Sequence, residues 1–118
     1  MKNLGDIVLK TRCNAISFEG ANPRHAHEWA YWKENKLPDD KVLVPGVIDS
    51  TTNFIEHPEL VSQRIQNYAN VVGRERVIAS VDCGLGTNAA STTVDARVAW
   101  AKLKALSDGA ALASKDLW

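Results

Sequence analysis

The sequence lacks the features that mark several classes of protein. Its 14 basic and 14 acidic side chains cancel to a net charge of zero, so nothing favours nucleic acid or an anionic membrane as a partner. No apolar run is long enough to cross a bilayer, and no secretion signal follows Met1. Cys13 and Cys83 are the only cysteines, too few for a disulfide framework and typical of a reducing cytoplasm. We therefore expect a cytoplasmic protein that binds neither nucleic acid nor membranes.

The chain is long enough for one α/β domain over residues 1–118, but not for a complete barrel of ~250 residues. Short apolar segments predict three buried strands, at residues 15–18, 41–48 and 77–81. Apolar spacing and the helix signals at Asn22, Pro23, Pro58 and Gly73 predict four helices, over residues 3–11, 22–35, 58–72 and 94–114. The third of these helices carries an apolar stripe of Val61, Ile65, Tyr68 and Val72. A loop is predicted over residues 84–93. This βαβαβα order, with strands buried on both faces, predicts a parallel sheet with right-handed crossovers.

Two elements allow sharper predictions. Pro45 cannot donate a hydrogen bond within the second strand, so we expect a bulge or a sheet edge there. The final helix is expected to turn one face to the core and the other to water. The inward set is Ala99, Leu103, Leu106, Ala110 and Ala113, and the water-facing set is Arg97, Lys102, Lys104 and Asp108.

Polar side chains lie at the carboxyl end of each predicted strand. Glu19 follows the first strand, Asp49 follows the second, and Asp82 and Cys83 follow the third. Because parallel strands end on the same side of a sheet, these residues should emerge together, where α/β proteins carry out their chemistry. A carboxylate and a thiolate are both zinc ligands, although zinc normally takes three or four protein donors. The competing interpretation is that Cys83 is a buried structural cysteine beside an Asx turn.

Four segments around these strand ends carry a specific resemblance. They are similar, in this order, to the carboxyl-terminal part of the cobalamin-independent methionine synthase family, at residues 16–25, 44–49, 56–59 and 82–86. The likeness is closer to the shorter relatives of that family, which include epoxyalkane:coenzyme M transferases, and it extends from Cys13 to Ser114. It implies that the chain corresponds to the last three βα units of a TIM (β/α)8 barrel.

The resemblance also implies a zinc ion that activates a thiol substrate for alkylation. In the family, the metal is held by a His-x-Cys motif, by a glutamate that ends the following strand, and by the cysteine of an Asp-Cys-Gly motif. Glu19 matches that glutamate and Cys83 matches that cysteine. The His-x-Cys pair would lie upstream of the first residue, so the site is incomplete. Asp49, in a Gly-Val-x-Asp segment, and Arg24 and His25, in a segment beside the family's active site, are candidates for substrate contacts.

Two functions are compatible with these residues. In the first, the chain is a fragment of a zinc-dependent thiol methyl- or alkyltransferase and is not catalytic as an isolated chain. In the second, it is a non-catalytic α/β module for oligomerisation or interaction. Under either function, a three-stranded parallel sheet leaves two edges with unpaired backbone groups. We therefore expect self-association into a homo-oligomer that covers these edges.

Overall fold

The computed structural model describes residues 4–86 and 93–118. It contains a three-stranded sheet of β1 (Ala15–Phe18), β2 (Val42–Ile48) and β3 (Ser80–Val81), with β2 in the centre. Both pairs of neighbouring strands are parallel. The predicted α/β class with a parallel sheet is therefore confirmed, and all three strands end at the same edge of the sheet.

In this described part of the chain, four α-helices accompany the sheet: α1 (Gly5–Leu9), α2 (Tyr31–Glu34), α3 (Pro58–Val72) and α4 (Ala96–Leu117). The bounds of α3 are those predicted, because Pro58 suits the first turn and Gly73, at φ 100°, ends the helix. α1 is shorter than predicted, and α4 begins after Asp95, whose carboxylate caps it. Residue 3 and residues 87–92, which fall in a predicted helix and a predicted loop, lie outside the described residues. No helix in the described ranges is long and apolar enough to cross a membrane.

The predicted helix over residues 22–35 is confirmed only in its second half. Residues 22–27 form turns, and a short 3-10 helix, Glu28–Ala30, leads into α2. The cause is the Asn22 side chain, which does more than cap a helix. Its amide donates hydrogen bonds to Glu19 and Asp82, while its Oδ1 accepts one from the backbone N of Arg24. These bonds hold the chain in tight turns after β1, so a long-range contact overrides the local signal.

β3 is shorter and less buried than its apolar run predicts. Its paired part is Ser80–Val81, with one further bridge between Leu43 and Val77. The Ile78 side chain is 56% exposed, so the expectation of burial on both faces is wrong. Within residues 4–86 and 93–118, no further strand pairs with the outer edge of β3 or of β1.

Pro45 lies in the central strand and not at an edge. It is opposite Phe18 of β1, in regular register. Pairing with β3 on the other side is irregular between Gly46 and Ile48. Of the two expected outcomes, the sheet edge is wrong, whereas an irregularity of the bulge kind is found directly after the proline, on the β3 side.

Two buried clusters hold the helices against the sheet. The first joins β1 and β2 to α2 and α3, and consists of Ile16, Trp32, Leu37, Leu43 and Tyr68. The second joins β2 to α3 and α4, and consists of Val47, Ile48, Val61, Ile65 and Ala113. The predicted apolar stripe of α3 thus faces the sheet, and the central strand packs against the helices through Leu43, Val47 and Ile48.

α4 turns much of the predicted face to the core, including the buried Ala113, but two positions differ from the prediction. Leu106 and Ala110 are partly buried, as expected. Lys102, expected to face water, is completely buried, whereas Leu103, expected to face inward, is 37% exposed. The reason is an ion pair, since the Lys102 ammonium lies 2.9 Å from a carboxylate oxygen of Glu56. Hydropathy alone cannot reveal such a partner.

Candidate functional site

The ends of β1 and β3 bring Glu19 and Cys83 into direct contact, although β2 separates the two strands. The residues are 64 positions apart in sequence, and the Cys83 thiol donates a hydrogen bond to Oε1 of Glu19. The Cys83 side chain is exposed, so the pair is open to solvent. The competing interpretation, a buried structural cysteine, is therefore wrong.

This contact changes the ionisation of both partners. Donation from the Cys83 thiol lowers the pKa of Glu19; a hydrogen bond from Asn22 and the charges of His25 and Arg24 act in the same direction, and burial opposes them. The same hydrogen bond, reinforced by burial and by the Glu19 charge, raises the pKa of Cys83 to about 11. At neutral pH, Glu19 is therefore an ionised carboxylate, and Cys83 is a neutral thiol that donates a hydrogen bond to it.

His25 lies beside the other oxygen of Glu19. Its Nε2 is 3.4 Å from Oε2 of Glu19, and its Nδ1 is 3.4 Å from Oε1 of Glu28. The imidazole is thus placed between two carboxylates, and Arg24 adds positive charge near Glu19. The structure brings both His25 and Arg24 to this strand end, while their contact with a substrate stays a prediction.

Asp82 holds the loop after β1 from across the sheet. Its buried Oδ1 accepts hydrogen bonds from the backbone N of Gly20 and of Ala21, both at 2.9 Å. Its Oδ2 accepts from the backbone N and the side-chain Nδ2 of Asn22, at 3.0 and 2.9 Å. The side chain lies close over Gly46 of β2, where an added Cβ would be 2.6 Å from the Cα of Asp82. Asp82 therefore fastens the ends of the two outer strands to each other.

Sequence reasoning missed the roles of Asn22 and Asp82. Asn22 carries an N-cap signal, and Asp82 was expected only as one of several acids at strand ends. Their hydrogen-bonded atoms are 60 positions apart, so no local pattern links them. The one signal in the sequence for a role of Asp82 is its position directly before Cys83, at the end of a strand.

Asp49 is engaged with its own loop and with α4. Its Oδ1 accepts from the backbone N and the hydroxyl of Thr51, at 2.8 and 2.7 Å. Its backbone N donates to Glu56 and its carbonyl accepts from Lys102. The structure places Asp49 at the same edge of the sheet as the other strand ends, and its role as a substrate contact stays a prediction.

Glu19 and Cys83 fit two positions of a zinc site. A carboxylate oxygen and a thiolate sulfur are both zinc ligands, and two such atoms in hydrogen-bond contact can bind one ion once the thiol proton has left. Among the described residues, however, no group of three or more His, Cys, Asp and Glu could hold a metal ion. The described chain thus offers a pair of donors, and a complete zinc site would require more.

The architecture is shared with proteins of known structure. The chain is similar to a B12-independent methionine synthase from Shewanella sp. W3-18-1 in complex with selenomethionine, with a TM-score of 0.79 and 24% sequence identity. The match covers 98% of this chain and 31% of the solved chain, so the chain spans less than half of the protein that it resembles. A comparison with curated proteins gives no match.

A family model matches most of the chain. The model describes the catalytic domain of the cobalamin-independent synthases, and it matches residues 3–105. The matched range contains all three strands and the contact between Glu19 and Cys83. The chain therefore belongs to the cobalamin-independent synthase family and represents part of its catalytic domain.

Proposed function

We propose that the chain is part of a zinc-dependent thiol methyl- or alkyltransferase and supplies two of its metal ligands, Glu19 and Cys83. The observation that carries the proposal is the contact between these two side chains at the carboxyl edge of a parallel sheet. Membership of the cobalamin-independent synthase family supports it. Because the structural match covers 31% of the solved relative, the remaining ligands would come from outside these 118 residues.

The chemistry proposed for the site is activation of a thiol. A bound zinc ion would lower the pKa of a thiol substrate and present it as a thiolate. Cys83 can bind a metal only as a thiolate, so binding would displace the proton that its thiol now donates to Glu19. The proposed contacts for the substrate are Asp49, Arg24 and His25, at neighbouring strand ends.

As an isolated chain, the protein is proposed not to be catalytic. Catalytic zinc sites use three protein ligands and one open position, and Glu19 and Cys83 provide two. A non-catalytic α/β module for oligomerisation or interaction is the second candidate. The observation that favours it is the absence, among the described residues, of a group of donors large enough to hold a metal.

Zinc binding by two cysteine variants separates these candidates. Cys83→Ser is expected to weaken Zn²⁺ binding by about 100-fold or more, since even groups that only orient a ligand contribute about 10–100-fold. Cys13→Ser is the matched control, because Cys13 is also exposed but contacts Thr11 before β1. It is expected to bind zinc as the wild type does. Competition with a chromophoric chelator measures both affinities.

Two results would contradict the first candidate. One is wild-type protein that shows no zinc binding even when the concentration of free Zn²⁺ is raised, since a pair of donors alone is expected to bind zinc weakly. The other is equal zinc affinity in Cys83→Ser and the wild type. Either result favours the non-catalytic module.

The 118-residue chain is proposed to associate with itself through the outer edge of β3. No strand among the described residues pairs with that edge, and the nearby Ile78 side chain is 56% exposed. Light scattering is expected to show oligomers at micromolar concentration, and Ile78→Lys should shift them toward monomer. Leu60→Lys, at a 40% exposed position on α3, is the control and should leave the distribution unchanged. A monodisperse wild-type monomer would refute self-association.

The state of the two cysteines indicates the cellular compartment of the protein. Both are free and exposed. A reducing cytoplasm preserves that state, and the cytoplasm is therefore the proposed location.

A further inference from the structure

The amide of Asn22 bridges two carboxylates at this end of the sheet. Its Nδ2 donates to Oε2 of Glu19 and to Oδ2 of Asp82, both at 2.9 Å. An amide nitrogen carries two hydrogens, so both are used, and Asn22 is only 7% exposed. With Oε2 held in this way, Oε1 is the oxygen of Glu19 that meets the Cys83 thiol.

Asp82 fixes the backbone that follows Glu19. Its carboxylate accepts three backbone N–H groups, from residues 20, 21 and 22, as well as the Asn22 side chain. Hydrogen bonds to an ionised acceptor are stronger than neutral ones, so this loop is firmly held. Because Cys83 directly follows Asp82, one carboxylate sets the positions of Glu19 and Cys83 relative to each other.

We infer that Asn22 and Asp82 are positioning residues, which hold Glu19 against Cys83 in the orientation required for binding a metal. The inference rests on the proposed function, because it assigns these residues a role in metal binding. This positioning role differs from a purely structural role in one respect. Loosening Glu19 weakens metal binding even where the fold survives, and groups that orient a ligand typically contribute about 10–100-fold in affinity.

The zinc affinities of Asn22→Ala and Asp82→Asn test the inference. Both variants are expected to bind Zn²⁺ about 10–100-fold more weakly than the wild type, in competition with a chromophoric chelator. Asp82→Asn keeps the size of the side chain but turns an N–H group toward backbone donors. Asn53→Ala is the matched control, since Asn53 also bridges two segments, through Thr93 O and Asp95 N. Its zinc affinity is expected to equal that of the wild type.

Hydrogen exchange provides a readout that needs no metal. In the wild type, the backbone N–H groups of residues 20–22 are bonded to Asp82 and should exchange slowly. In the variants, these amides are expected to exchange about 10-fold faster or more, while the amides of β2 keep their protection.

The outcomes separate this inference from the proposed function. Wild-type zinc affinity in Asn22→Ala would overturn the inference, whether or not Asp82→Asn folds. If the wild type itself binds no zinc, the proposed function fails. Hydrogen exchange is then the measurement that tests whether Asn22 and Asp82 hold the loop after β1. Faster exchange confined to residues 20–22, in either variant that folds, then supports the holding role, whereas unchanged exchange overturns it.

Discussion

Replacing Lys102 with methionine is expected to lower the free energy of unfolding by about 3–5 kcal/mol. The Lys102 ammonium is completely buried and donates to Glu56 at 2.9 Å and to the carbonyl of Asp49 at 3.0 Å. Methionine fills a similar volume but leaves the Glu56 charge, itself only 9% exposed, without its partner. Because Glu56 also accepts from the Asp49 backbone N, the loop after β2 would lose its anchor to α4.

Urea denaturation followed by tryptophan fluorescence measures this loss. Lys104→Met is the matched control, because the Lys104 side chain is 74% exposed on the same helix and pairs with Asp108 one turn away. Its expected effect is below about 0.5 kcal/mol. Adding Glu56→Gln to Lys102→Met should recover part of the loss by removing the unpaired charge. A Lys102→Met protein within about 1 kcal/mol of the wild type would show that the buried pair does not stabilise the fold.

Gly46→Ala is the second substitution with a large expected effect, a loss of about 3–5 kcal/mol. An added Cβ would lie 2.6 Å from the Cα and 2.8 Å from the backbone N of Asp82. Backbone atoms must therefore move, which costs more than turning a flexible side chain. The movement would also disturb the four hydrogen bonds between the Asp82 carboxylate and residues 20–22.

Gly86→Ala is the control for this substitution. Among the described residues, no atom lies within 4 Å of a Cβ added at Gly86, and its φ is not positive. The same urea titration should show a change of less than about 0.5 kcal/mol. A Gly46→Ala protein with the wild-type midpoint and slope would disprove the close approach of Asp82 to β2.

The emergence of Glu19 and Cys83 at one end of the sheet could be predicted from the sequence, because it depends on the direction of the strands. Alternation of strands and helices makes the strands parallel. Each of the two residues follows closely on its strand, so both emerge at one edge of the sheet. The zinc ion and the substrate contacts at Asp49, Arg24 and His25 stay predictions, since they depend on groups beyond this pair.

Two long-range contacts could not be predicted in the same way. Asn22 has a local signal for starting a helix, yet its amide binds Asp82, 60 positions away. Lys102 falls on the polar side of a helical pattern, yet it meets Glu56, 46 positions away. In both cases the partner is chosen by tertiary geometry, which the periodicity of a single segment does not contain.

The burial of β3 was overestimated for a related reason. A run of apolar residues indicates a strand that packs against other groups, but it does not say which groups cover each face. In the described residues, Ile78 bonds through its backbone N to Leu43 of β2, yet 56% of its surface is exposed.

The bonds between Asp82 and the loop after β1 also constrain the order in which the protein assembles. They join atoms that are 60 to 62 positions apart, with β2 and α3 lying between them. Closing so long a stretch of chain has an entropic cost that a local helix does not bear, so such contacts form late. A growing polypeptide would therefore have no paired donors to offer a metal until its third strand has been synthesised and docked.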